Sequence, residues 1–427
     1  MKKRIYALSI FTLLGNSVVQ AENVQINENF SIKPSIDIMY GAMYSKKSYN
    51  NPEAQDDISW QEAYASYGVE GQYNLGTNEL YGTVKGLSSA TFGDGDAAGF
   101  TNGSERKTTL GEWSLGWRNG AADQAQIDLS IGRQNVQIAD GFLVAGDALN
   151  MGKGIADGEL NRGGGYYIAA RKSFDFTSVL HYQLTDDLKS HWYYLKSDNK
   201  AQYQPTLWAT DWQYQFKNYD FGLTYLQITD LEDPLHESVR DDLSDIAFRA
   251  KAQVNDQLAF SSEYVYQDQK DENENAWYMA LNYHFDQVPF QPTLGYRFSS
   301  FSENYDALFY GNTDAGFGTW FQGEVAGNYA GPFSSNARIH QVSLQASVKE
   351  NLHLGLLAYQ FDTIKKDAEN LDGHEFDMFA VWSPTQNINV IPLVGFFKPK
   401  KDILNGGSQV NGTENNTYAQ LLLQYVY

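Results

Sequence analysis

The chain contains 427 residues, no cysteine, and 31 basic against 52 acidic residues, for a formal net charge of −21. This balance excludes nucleic-acid binding through a basic surface, and the lack of cysteine excludes disulfide stabilisation. Aromatic residues make up 15% of the chain, as expected of a membrane barrel that has aromatic girdles and a polar interior.

The chain begins like a secreted protein. A basic start is followed by an apolar run over residues 5–14, and Val19 and Ala21 fit the small-residue positions of a cleavage site. An N-terminal membrane anchor is the alternative, but this run is too short to cross about 30 Å of hydrocarbon as a helix. The sequence predicts a signal peptide over residues 1–21, transit through the periplasm, and a single barrel over residues 22–427.

The body of the sequence alternates apolar and polar residues between turn residues, which is the pattern of half-exposed β-strands. Within residues 275–285, Trp277, Met279 and Leu281 share one face, whereas Asn282 lies on the other. A soluble β-sandwich also alternates, but the length and number of these segments and the aromatics near their ends favour a transmembrane barrel.

We predict an all-β fold, a transmembrane antiparallel β-barrel of about 18 strands with short periplasmic turns and long extracellular loops. Residues 164–184 could form two strands broken at Ser173–Asp175, but a single strand keeps the short turns at one end and the long loops at the other. The predicted strands are 30–45, 58–74, 79–87, 107–118, 125–134, 164–184, 189–198, 206–216, 219–229, 243–254, 257–268, 275–285, 290–301, 336–348, 351–362, 374–384, 387–398 and 416–427.

The final segment, 418–427, ends on an aromatic residue, Tyr427, in phase with Leu421, Leu423 and Tyr425. This resembles the C-terminal strand signal by which outer-membrane barrels are recognised for insertion; an ordinary amphipathic last strand is the alternative. We therefore expect an outer-membrane location, among phospholipid and lipopolysaccharide.

Many charged residues fall on the polar phase of the strands. A charge facing lipid costs about 2–4 kcal/mol at the middle of the membrane, and an unpaired charge in a dry interior is also unfavourable. A ladder of salt bridges closing a narrow barrel is the alternative, but about 18 strands leave room for water. The predicted lumen-facing charges are Lys33, Asp37, Glu62, Glu70, Asp128, Asp211, Arg249, Lys251, Glu263, Arg297, Glu375 and Asp377.

The segment 135–163 is long, glycine-rich and partly apolar, as in Phe142-Leu143-Val144. Apolar residues are unfavourable in water, so we predict that this loop folds into the lumen and narrows it; a surface cap packed on its neighbours is the alternative. Charged groups at a constriction set ion preference. The predicted selectivity residues of this loop are Asp140, Asp147, Asp157, Glu159 and Arg162, alongside Arg249, Lys251, Glu263 and Arg297 of the wall.

The sequence gives only weak signals for a sugar-binding, catalytic or metal site. Aromatic residues in the loop 302–336 could stack on sugars or form a self-packed lid. Ser178 and His181 lie on opposite strand faces, a poor arrangement for a nucleophile and its base. The Gly93–Asp96 segment reads better as a turn than as a Ca²⁺ site. We expect no enzymatic activity, no cofactor and no metal.

Several short motifs resemble the alginate-export family of outer-membrane porins, mainly over residues 125–350. They are Gly132-Arg133-Gln134, Arg162-Gly163-Gly164-Gly165-Tyr166-Tyr167, Ala170-Arg171-Lys172-Ser173-Phe174-Asp175, Tyr194-Leu195-Lys196-Ser197-Asp198 and Gly318-Thr319-Trp320-Phe321-Gln322-Gly323-Glu324. The resemblance implies a monomeric barrel of this size with extracellular loops folded into the pore. It also implies a basic pathway, to which Arg133, Arg162 and Arg171 would contribute.

The favoured function is a porin for passive diffusion of small hydrophilic solutes or ions, with a cation preference suggested by the excess of acidic residues. Three alternatives stay open. They are an exporter of an anionic polysaccharide such as alginate, a barrel enzyme of the phospholipase type, and a closed structural or adhesive barrel.

Overall fold

The computed structural model describes residues 23–49, 55–122, 124–148, 163–232, 238–311 and 322–427. Within these ranges, 18 long strands form one closed antiparallel barrel in which each strand pairs with the next along the chain. The last strand pairs with the first long one, for example Leu422 with Gly41, and this pairing closes the barrel. The predicted fold class is confirmed.

The long strands are β2 (Phe30–Ser45), β3 (Ile58–Asn74), β4 (Glu79–Gly93), β5 (Arg106–Arg118), β6 (Ile127–Arg133), β7 (Phe176–Gln183), β8 (Leu188–Lys196), β9 (Thr206–Phe216), β10 (Tyr219–Asp230), β11 (Ser244–Gln253), β12 (Leu258–Asp268), β13 (Asn273–His284), β14 (Thr293–Phe301), β15 (Ala337–Lys349), β16 (Leu352–Thr363), β17 (Gly373–Thr385), β18 (Ile388–Pro399) and β19 (Asn416–Val426). A two-residue strand, β1 (Val24–Gln25), pairs with the start of β2. Short helical turns occur at Lys200–Gln202, Ala326–Ala330 and Ile403–Asn405. No helix within the described ranges is long and apolar enough to cross a membrane.

One predicted strand was drawn too long. The segment 164–184 was expected to be a single strand, but only Phe176–Gln183 is a strand, and the residues before it form the return of a loop. Gly163, Gly164 and Gly165 all have positive φ, a backbone conformation that an extended strand does not contain. Splitting the segment into two strands would also have been wrong, since it contributes one strand to the barrel.

The two ends of the barrel differ as predicted. Short connections such as 75–78, 217–218 and 350–351 lie at one end, and the long loops lie at the other. The C-terminal residue lies at the short-turn end, where the backbones of Ile36 and Tyr427 exchange two hydrogen bonds of 2.9 and 2.8 Å. This asymmetry is that of outer-membrane barrels, with the short turns in the periplasm.

The two faces of the wall also differ. Outward-facing side chains such as Val84, Leu115, Phe248 and Met279 are large, apolar and exposed, which suits contact with lipid acyl chains. The inward face is mixed. On β16, β18 and β19 it includes a group of buried apolar side chains, Leu357, Ile391, Leu393 and Leu422, which we call the apolar wall. Most of the water-accessible charged groups of the lumen lie on other strands.

Candidate functional site: the lumen and its constriction

The first part of the long loop after β6 enters the lumen. The ring of Phe142 packs 5.2 Å from that of Tyr278 on β13 and 5.8 Å from that of Phe301 on β14, both on the inward face. Val144 forms a bridge with Phe309 of the loop after β14. Phe142 and Val144 are buried, so these contacts remove the apolar residues of the loop from water. The described part of this loop, 134–148, therefore narrows the barrel.

The described part of this loop also carries a carboxylate that contacts the wall. Asp140 Oδ1 lies 2.6 Å from Lys251 Nζ on β11, and the Tyr278 hydroxyl donates to Asp140 Oδ2 at 3.2 Å. A polar cavity of about 310 Å³ adjoins this pair, and Lys189, Gln213 and Asp220 are among the residues that line it. Asp140 and Lys251 are thus brought together, as two of the predicted selectivity residues, beside a cavity of mixed charge.

Arg249 and Glu263 face the lumen as predicted but lie within the wall. The Arg249 guanidinium is 3.0 Å from Asp211 and 3.9 Å from Glu263, and all three residues are at most 5% exposed. Asp211 also accepts a hydrogen bond of 2.7 Å from the Thr224 hydroxyl. Gly222 makes room for this arginine, because a Cβ there would lie 2.2 Å from Arg249 Nη2. Arg249 is therefore paired with carboxylates inside the wall, in a cluster that spans β9 to β12.

Arg297 is a second buried cation of the wall. Its guanidinium carbon lies 3.8 Å from the centre of the Tyr278 ring, and its Nε donates to the Ser299 hydroxyl at 3.0 Å. Tyr278 therefore supports Arg297 through its ring and Asp140 through its hydroxyl. This arrangement makes Arg297 part of the frame behind the constriction.

Asp147, a predicted selectivity residue, and Arg171, which the family resemblance assigns to the pore, do not reach the pore water. Asp147 is 0% exposed and accepts hydrogen bonds from Ser197 and Asn199 at 2.8 and 3.4 Å. Arg171 is 5% exposed, and its Nη2 is 2.8 Å from each carboxylate oxygen of Asp198. Both side chains fasten the inward loop to the segment after β8. Their assignment to the pore lining is corrected, because a buried and paired charge anchors the backbone and does not meet ions.

Arg133, which the family resemblance also assigns to the pore, does not face the lumen in the structure. It lies on the outward phase of β6, together with Leu129 and Ile131, at the end of the strand nearest the long loops. Its guanidinium pairs with Asp175 and lies 3.8 Å from Asp198. Asp157, Glu159 and Arg162 lie outside the described residues.

The loop after β14 packs against the inward loop after β6. Glu375, on the inward face of β17, accepts backbone hydrogen bonds from Val325 and Ala326 at 2.8 and 2.9 Å. The Tyr167 hydroxyl donates to Glu324 at 2.6 Å, which ties the two inward loops together. Among the described aromatics of the loop 302–336, Tyr305, Phe309 and Tyr329 are at most 4% exposed, which favours the self-packed lid over a sugar-stacking surface.

Several lumen charges were missed by sequence reasoning. Lys172 is exposed on the inward loop and interacts electrostatically with Asp37, which is half-buried on β2. Lys85 on β4 lies 2.9 Å from Glu70 and 3.9 Å from Glu112. Lys85 is in phase with other inward residues of its strand, so the alternation rule would have found it. Lys172 gave no such signal, because its segment is not a strand.

No family model and no curated protein matches this chain. Several solved structures are similar to it. The chain is similar to OpdQ of Pseudomonas aeruginosa, with a TM-score of 0.61 at 12% identity over 93% of this chain and 97% of that chain. It is also similar to OccAB4 of Acinetobacter baumannii, with a TM-score of 0.60 at 12% identity over 92% and 98% of the two chains.

The outer-membrane protein OpdK of Pseudomonas aeruginosa, solved with vanillate, gives a TM-score of 0.61 at 11% identity over 92% of this chain and 98% of that chain. This is the fold of an outer-membrane porin. At these identities the likeness establishes the fold, and the lipid-facing apolar surface of the barrel agrees with an outer-membrane location. The predicted fold is confirmed.

Proposed function

We propose that the protein is an outer-membrane porin through which small hydrophilic solutes and ions diffuse passively. The supporting observation is the lumen: an inward loop narrows an 18-strand barrel, yet charged side chains that reach water remain along it. Lys172, Lys85, Asp37 and Asp220 are such groups. An ionised group is stable at these positions only in contact with water or a counter-charge.

The charges near the constriction suggest weak ion selectivity. The polar cavity is lined by four acidic and three basic residues, so negative charge exceeds positive charge only slightly there; they are Asp140, Asp186, Asp187, Asp220, Lys189, Arg249 and Lys251. The chain as a whole is strongly acidic, with a net charge of −21. We therefore propose a modest preference for cations that grows as the salt concentration falls and screening weakens.

Export of an anionic polysaccharide, and membership of the alginate-export family, are the second candidate and have less support. A polyanion is best guided by a lane of accessible arginines. Of the arginines considered, Arg171 and Arg249 form buried ion pairs and Arg133 lies on the outward phase of its strand. The exposed cations Lys172 and Lys189 are the residues on which such a pathway would depend.

A phospholipase-type enzyme also has less support. Ser178 lies on the outward phase of β7, whereas His181 points inward and has His191 as its partner. The nucleophile and base of such an enzyme need to be within hydrogen-bond reach. We propose a channel without catalytic activity or cofactor, and we keep the prediction that it is a monomer surrounded by phospholipid and lipopolysaccharide.

Planar-bilayer recordings in a salt gradient test the proposal. We expect discrete conductance steps and a reversal potential that indicates cation preference. Lys172→Glu places an anion where a cation faced the lumen, so cation preference should increase. Lys398→Glu is the matched control, since Lys398 lies on the outward phase of β18. The absence of steps would contradict the channel, and equal shifts in both variants would contradict the position of Lys172 in the ion path.

A further inference from the structure

Two histidines face each other on the inward side of the wall. His181 on β7 and His191 on β8 are direct cross-strand partners, with their Nδ1 atoms 2.5 Å apart. Their ring centres are 4.7 Å apart and their planes are inclined by 71°. His181 is exposed and His191 is half-buried, so lumen water reaches the pair. At most one of the two facing nitrogens can carry a proton in this geometry.

The carboxylates on either side of the pair are occupied by other groups. Asp128 on β6 is the direct cross-strand partner of His181, and it accepts a hydrogen bond from the Tyr81 hydroxyl. Asp211 on β9 is the direct cross-strand partner of His191, and it accepts a hydrogen bond from the Arg249 guanidinium. Neither carboxylate therefore ties up an imidazole nitrogen. Arg118 lies 3.8 Å from Asp128 and Arg249 pairs with Asp211, so the affinity of the pair for a cation rests on the two imidazole nitrogens.

Facing imidazole nitrogens with access to water are the ligands that divalent transition metals prefer. Two nitrogens bound to one Zn²⁺ at about 2.0–2.1 Å in a tetrahedral arrangement lie about 3.3 Å apart. The two Nδ1 atoms, now 2.5 Å apart, need to separate by less than about 1 Å to reach that spacing. His181 is exposed to the lumen, which leaves its ring room to rotate toward that spacing.

The backbone around the pair is already in place. Strands β7 and β8 pair continuously from Phe176 with Lys196 to Gln183 with Lys189, so the two Cα positions are fixed before any ion binds. The short turn between these strands carries Asp186 and Asp187, which line the neighbouring polar cavity and raise the local concentration of cations.

We propose that His181 and His191 form a binding site for a divalent transition-metal ion on the lumen wall. Each imidazole binds through Nδ1 as the neutral ring, with its proton on Nε2, and lumen water completes the coordination. Among the described residues, no group of three or more His, Cys, Asp or Glu side chains is arranged to hold a metal, so the site has two protein ligands. A bound ion adds two positive charges to the wall and thereby reduces the cation current.

Zn²⁺ is the probe for the test. It is titrated by calorimetry into the untagged protein in detergent, and into the variants His181→Gln, His191→Gln and His340→Gln. His340 is the matched control, because it lies on the outward phase of β15, where its Nδ1 is 2.8 Å from the Tyr296 hydroxyl. The wild type and His340→Gln are expected to bind one more Zn²⁺ per chain than the other two variants.

Equal Zn²⁺ binding by all four proteins would overturn the site, whatever the outcome of the conductance measurements. Zn²⁺ is then added to single channels of each folded protein. A fall in cation current in the wild type and His340→Gln, absent from His181→Gln, is expected. If His181→Gln binds one Zn²⁺ fewer than the wild type but Zn²⁺ changes the current of both proteins equally, the proposed influence on conduction is refuted. Because calorimetry does not depend on conduction, a failure of the channel function would be seen separately.

Discussion

Truncation of Phe142 tests whether the inward loop sets the size of the pore. The Phe142 side chain is 3% exposed and contacts the rings of Tyr278 and Phe301. Replacing a buried Phe by Ala costs about 3–5 kcal/mol, of which each aromatic contact contributes about 0.5–1.5 kcal/mol. A loss of about 4 kcal/mol shifts the equilibrium between docked and undocked loop almost a thousandfold.

Single-channel recording is the assay, because an undocked loop widens the lumen. Phe142→Ala is expected to raise the unitary conductance or to add frequent transitions to a larger open level. Phe290→Ala is the control: Phe290 is 61% exposed in a turn at the opposite end of the barrel and does not contact the loop. A folded Phe142→Ala channel with the conductance and noise of the wild type would refute the idea that this loop forms the constriction.

Two further perturbations address stability. Arg249→Met removes the counter-charge of two buried carboxylates. The free energy of unfolding, measured in urea, should therefore fall by about 3–5 kcal/mol. A loss below about 1 kcal/mol would contradict the buried network. Burial raises the pKa of Asp306, but the Arg240 guanidinium and its hydrogen bonds outweigh burial, and the pKa lies below its ordinary value. The contact therefore stabilises the loop fully above about pH 4 and is lost as the pH falls through the lower folded pKa. Hydrogen exchange of the loop should become faster only in that acidic range, and the same pH profile in Asp306→Asn would contradict this assignment.

The strand positions could be predicted because lipid outside and water inside impose opposite requirements on successive residues. Alternation alone placed Arg249, Lys251 and Glu263 on the inward face, and the structure agrees. Arg133 shares the phase of Leu129 and Ile131, so alternation also agrees with its outward position in the structure, whereas the family resemblance implied the pore. A rule based on a physical boundary was more reliable here than a motif of a few residues.

The ion pairs could not be predicted from alternation. Whether Arg249 meets Asp211 depends on the register of β9, β10 and β11. Two-residue periodicity excludes a shift by one residue but does not exclude a shift by two. The loops are harder still. Asp140 and Asp147 belong to the same loop, yet one contacts Lys251 in the lumen and the other is fully buried. Irregular backbone has no period from which the direction of a side chain could be read.

The apolar wall has a consequence for how this sequence can diverge. Leu357, Leu393 and Leu422 lie in close-packed surroundings, where a change of one methylene group affects stability. Lys172 and Lys189 face water, where exchange of one polar residue for another leaves the fold intact. Homologues should therefore differ most on the wet side of the lumen, so that new solute preferences can arise while the opposite side preserves the barrel.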